Sequence, residues 1–91
     1  MNNDEEIKNV ISKLHLLLHN CGNESWATKL AYIHGMINDD PDQARYLIMT
    51  SFGGMGSLND IVLSLNDQML VEENRELDSL RKRLFELAQR L

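Results

Sequence analysis

Leu70, Leu77, Leu84 and Leu91 stand seven residues apart, with Leu80 and Leu87 at the alternate positions and Asn74 at the earlier one. A seven-residue apolar repeat over about three turns of the pattern leaves little choice but a helix with one greasy seam. The same logic holds upstream. Ile7, Val10, Ile11, Leu14, Leu17 and Leu18 recur at steps of three and four, which predicts one broad apolar helical face. Asn3 or Asp4 is placed to cap that helix. Asp4, Glu5 and Glu6 then sit where free amides and the helix dipole favour negative charge, and Gly22 follows the helix end, able to take a positive φ.

A second helix is expected over 24–38, with Trp26, Leu30, Ile33 and Ile37 as its stripe and Ala27 and Met36 beside it. Gly35 interrupts it at a cost of about 1 kcal/mol against alanine, which suggests a close helix approach. Asp40 followed by Pro41 is a strong start signal for a third helix running to about Phe52. Ala44, Leu47, Ile48 and Ser51 line its inner face. The last helix is expected to begin near Asn66 or Asp67. Its seam packs either within the chain or between two chains. The fold class is therefore all-α: one domain over 1–91, a compact bundle of four main helices with a glycine-rich corner and a short helical or irregular connector before the long C-terminal helix.

The corner is the segment Ser51–Asp60, which holds three of the five glycines. A phosphate-gripping loop wants four residues between its glycines and a lysine after them, and a dinucleotide fingerprint wants a strand before it. Neither pattern is present, so a geometric role is expected. Phe52 closes a helix and packs inward, Gly53 takes the left-handed position, Gly54 and Gly56 turn the chain, and Met55 plugs an apolar gap. Ser57 with Asp60 has the spacing of a capping box, and Asn59 and Asp60 can bond local amides. Leu58, Ile61, Val62 and Leu65 then suit a short helix. The alternative, an extended 60–64, has no second strand to pair with.

Chemistry offers little more. His15 and His19 stand four apart without the glutamate of a zinc protease, and joining them to Cys21 and His34 would need convergence across a turn. Cys21 is the single cysteine, so no internal disulfide forms. No catalytic residue, metal ligand or cofactor is assigned. Arg81, Lys82 and Arg83 are interleaved with acids and read as a solvated helix face. Of the 14 acidic residues, nine lie at or before Asp67 against four lysines and arginines, and the remainder of the chain is balanced at five each. That excess repels nucleic acid and anionic membrane and steers basic partners inward. The polar N-terminus has no signal-peptide pattern, and with one cysteine a cytoplasmic location is expected.

The run "FGGMGSLNDIVL", preceded by "ESWATKL" and followed by the leucine-spaced helix, resembles an uncharacterised family of small all-helical bacterial proteins carrying F-G-G-M-G-S, a hydrophobic residue, Asn and Asp. The positions that match are Trp26, Leu30, Phe52, Gly53, Gly54, Met55, Gly56, Ser57, Asn59 and Asp60. No biochemical activity accompanies the resemblance. Such small reading frames resemble those beside toxin genes, which implies immunity proteins. On that reading Asp39, Asp40, Asp42, Tyr46, Asp60 and Asp67 are the partner-binding residues, with Glu24 outside them, and the partner is a basic toxin domain. The alternative is a regulatory or assembly module, homodimeric through the last helix.

Overall fold

The computed structural model describes residues 2–53 and 56–91, so the expectations for Gly54 and Met55 lie outside it. Four helices carry the fold: α1 (Asn3–Asn20), α2 (Glu24–Asp39), α3 (Pro41–Thr50) and α4 (Val71–Ala88). Between α3 and α4 run a 3-10 turn, Leu58–Asp60, and a two-stranded hairpin of β1 (Ser64–Leu65) and β2 (Gln68–Met69). The all-α bundle with its long last helix stands.

The first three helices begin where a side chain takes up a free amide. Asn2 accepts from Glu5 N at 2.8 Å, Asn23 from Trp26 N at 3.2 Å, and Asp40 from Gln43 N at 3.2 Å. The first cap is thus Asn2 rather than Asn3 or Asp4. Gly22, at φ +85°, ends the first helix as its sequence position demands. The expected inner face of α1 is buried at all six positions. Ala27, Leu30, Ile33 and Ile37 line α2 and Ala44 and Ile48 line α3, with Trp26 half-buried at the rim. Leu77, Leu84 and Leu87 of α4 join the same core, so the leucine seam closes the bundle from within. α1 packs against both α2 and α4, and is therefore the central element. Arg83 Nε donates to Glu6 Oε2 at 2.8 Å and ties the ends of that pair of helices together.

Three expectations are corrected here. α3 stops at Thr50, not Phe52, because Ser51 N, Phe52 N and Gly53 N each close short turns on carbonyls three residues back. The connector is not a four-residue-period helix: after the 3-10 turn the chain extends and pairs with 68–69, the strand that inspection of 60–64 alone could not supply. The last helix begins at Val71, because Asn66 and Asp67 both take positive φ, 53° and 65°, and form the hairpin turn. Among the described residues no helix is long and apolar enough to cross a membrane.

Candidate functional site

The glycine corner is held by its own polar groups. Leu58 N donates to Ser51 O at 2.8 Å and closes the loop, while Asn59 Nδ2 donates to Phe52 O at 3.2 Å. Gly56 N donates to Asp60 Oδ2 at 2.7 Å. The expected capping box between Ser57 and Asp60 does not form: Ser57 makes no side-chain cap, and the Asp60 carboxylate reaches back to Gly56 instead. Gly56, at φ +75°, takes the left-handed conformation; Gly53 does not. Phe52 is half-buried and meets Phe85 of α4 edge to face, with centroids 5.3 Å apart.

Arg81 was not legible as part of this corner. Its side chain is only 12% exposed. Its Nη1 donates to Leu58 O at 2.8 Å and Ile61 O at 3.1 Å, and its Nη2 pairs with Asp78. The solvated basic face expected for 81–83 is therefore corrected at Arg81, which is a half-buried strut. Asn74, the polar position in the leucine pattern, does similar work one turn into α4. It accepts from Leu63 N at 2.7 Å and donates to Leu63 O and Leu70 O, both at 2.8 Å.

The histidines make no cluster of ligands. His15 Nδ1–H donates to Ala27 O at 2.7 Å. His19 lies 2.5 Å from Glu24 and stacks on His15. Among the described residues no group of three or more histidine, cysteine or carboxylate side chains is placed to hold a metal ion. Burial raises the pKa of the Cys21 thiol, and the Glu73 and Glu76 carboxylates add to the shift.

The named aspartates divide between two places. Asp39, Asp40 and Asp42 stand at the junction of α2 and α3. Asp60 ends the 3-10 turn and Asp67 lies at the hairpin tip. The extended segment before the hairpin runs beside the α1–α2 turn at the start of α2. The Asp39–Asp42 group is thus at the other end of a helix about 24 Å long. Asp40 is committed to capping and Asp60 to Gly56. Asp39 and Asp42 are exposed and have no ion-pair partner among the described residues.

The same two helices carry exposed aromatic side chains. Tyr32 is 64% exposed on α2 and Tyr46 is 62% exposed on α3. Helical spacing puts Tyr32, Gly35 and Asp39 on one outer stripe of α2, and Asp42 with Tyr46 on one outer stripe of α3. Gly35 is exposed, and a Cβ built on it meets nothing within 4 Å. The close helix approach expected there is absent, so no neighbour in the fold requires a glycine. The outer stripe of α2 thus presents one exposed ring, one unpaired carboxylate and a bare stretch of helix backbone, and that of α3 one exposed ring and one unpaired carboxylate. Sequence reasoning found the tyrosines and aspartates but not their conjunction with Gly35, whose exposure only the packing reveals.

A family model described as a domain of unknown function (DUF6966) matches residues 19–71, more than half of the chain. The matched stretch holds α2, α3, the corner and the hairpin. No curated protein matches the chain, and neither does any solved structure.

Proposed function

We propose that this chain, which belongs to the DUF6966 family, is a non-enzymatic acidic binding protein of the immunity type, blocking the active groove of a basic bacterial toxin domain by contact alone. The contact face is the α2–α3 edge of Tyr32, Gly35, Asp39, Asp42 and Tyr46. The observation that carries the reading is Gly35. A glycine in mid-helix costs about 1 kcal/mol, and here no intramolecular contact explains it. A partner surface that must approach the helix backbone closely does explain it. Exposed tyrosines beside it supply large contact area at low entropic cost, as anchors of binding faces do. Unpaired carboxylates of one sign beside them favour a basic groove and fast encounter with it. Toxin domains that act on nucleic acid need such a groove for their substrate, so acidic side chains placed there occupy phosphate positions. Under this reading the protein works in the cytoplasm and needs neither cofactor nor metal.

The test is co-expression with the product of a toxin-like reading frame next to the gene. A complex with Kd on the order of nanomolar or tighter is expected. Asp39→Lys with Asp42→Lys should slow association about tenfold or more, and the slowing should shrink as salt is raised. Gly35→Ala should raise the thermal midpoint while weakening the complex, a split that a purely structural glycine cannot give. Absence of a complex, or one indifferent to all three substitutions, overturns the proposal.

A further inference from the structure

The extended chain beside the hairpin has a used side and an open side. Leu63 turns both its backbone groups toward α4: its N–H donates to Asn74, and its carbonyl accepts from Asn74 and from Leu70 N. Backbone groups alternate in direction along an extended strand. Those of Val62 and Ser64 therefore point the other way. The register agrees, since the Leu70 N to Leu63 O bond makes Ser64↔Met69 the pair that does not exchange hydrogen bonds. Neither Val62 nor Ser64 has a backbone partner on that outer side among the described residues.

That open edge lines a groove of about 450 Å³ whose other wall is Cys21–Ser25. The ribbon surface next to it is apolar and uncovered. Ser64 and Met69 share one face, and Val62, two residues before Ser64, lies on the same side of the chain. Val62 and Met69 are each 63% exposed, and Val71 just beyond them is 58% exposed. Carboxylates outnumber cations around it, although Glu72 pairs with Arg75, Glu24 lies 2.5 Å from His19 and Arg81 reaches Ile61 O. From Arg45 to Arg75 the chain contains no intervening lysine, arginine or histidine, yet Asp60, Asp67, Glu72 and Glu73 fall within it. Glu24 stands on the opposite wall of the groove.

We infer that an extended, lysine- or arginine-bearing segment of a partner protein docks along Val62–Ser64 as a third strand. Its backbone pairs with the open edge, its apolar residues cover Val62 and Met69, and its cations face the surrounding carboxylates. A second copy of this chain is a poor occupant, because pairing two such edges brings like charges together. The surface lies at the other end of α2 from the edge proposed above, and the inference does not depend on that reading.

The probe is a synthetic octapeptide of alternating lysine and valine, titrated into the full chain labelled with ¹⁵N. Saturable amide shifts are expected at Val62, Ser64 and the 22–25 wall, weakening as ionic strength rises from about 0.05 to about 0.3 M. Ser64→Pro removes only the outward N–H, as edge strands tolerate, and should weaken binding about tenfold. The same peptide N-methylated at alternate residues leaves the protein untouched and should also lose the edge shifts. A peptide with glutamate for lysine should not bind. Shifts at acidic residues throughout the molecule that spare Val62 and Ser64 would overturn the inference. So would binding indifferent to N-methylation, or edge shifts that grow with protein concentration alone and so reveal a second copy.

Discussion

A guanidinium 12% exposed among carbonyls is the side chain on which the corner depends. The 3-10 turn has no following helix to take up its carbonyls; Arg81 donates to both Leu58 O and Ile61 O and is itself neutralised by Asp78. Hydrogen bonds from a charged group are worth about 1.5–3 kcal/mol. Arg81→Ala should therefore lower stability by about 2–3 kcal/mol, read as a lower urea midpoint at unchanged slope. Arg81→Lys should recover only part, since an ammonium lacks the planar fork that spans two carbonyls. Cys21 provides a second residue-level test. Its thiol is raised by burial first and by Glu73 and Glu76 second. The folded value lies above the unfolded one, so the associated stability is present below the usual thiol range near about 8.5 and is lost as pH rises through the raised value. Alkylation near pH 8 should be slower in the folded than in the denatured protein. Glu73→Gln with Glu76→Gln should speed it in the folded protein only.

At the scale of elements, the corner tells apart two glycines that the sequence presents alike. Gly56 is at φ +75° with open space around its missing Cβ, so Gly56→Ala meets strain but no clash, and should cost about 1–2 kcal/mol. Gly53 has an ordinary φ and its nearest neighbour is Thr50 O at 3.9 Å, so Gly53→Ala should be close to neutral in a thermal melt. The assignment of the left-handed position to Gly53 failed because helix-end rules act on the residue after a helix, and α3 ends two residues earlier than its apolar spacing suggests. The first three helices were legible because each carries its whole signal locally: a cap, a period and a breaker. The hairpin was not. Its second strand is two residues, Gln68–Met69, with no β-rich composition, and the spacing of Leu70 from Leu77 continues the helical repeat across it. The available clue was Asn66-Asp67, a pair suited to a turn with two positive φ angles. In the candidate site, the aspartates and tyrosines were visible as residue types. Their division between the two ends of α2, and the emptiness around Gly35, are properties of packing and leave no local trace.

For the molecule as a whole, the leucine repeat decides between closing one bundle and joining two chains. Leu77 and Leu84 are 0% and 1% exposed within a single chain, against the core that α1 organises. The radius of gyration, 12.7 Å, is close to the roughly 12 Å of a folded chain this long, and Leu77, Leu84 and Leu87 need no second copy to be covered. A domain of this size has about 5–10 kcal/mol of stability. Forcing a carboxylate into an apolar site consumes about 4–6 kcal/mol, whether it stays charged or is driven to protonate. Leu84→Glu should therefore abolish cooperative unfolding at every protein concentration. Phe85→Glu, on the adjacent rim at 39% exposure, should cost the Phe52 contact and little else. A seam that joined two chains would behave differently. Leu84→Glu would then yield a helical, cooperatively melting monomer, and the wild-type melting temperature would climb with concentration. Circular dichroism melts of both variants, with sedimentation equilibrium of the wild type over a hundredfold concentration range, separate the two outcomes. The expected result is a wild-type monomer whose melting point does not move.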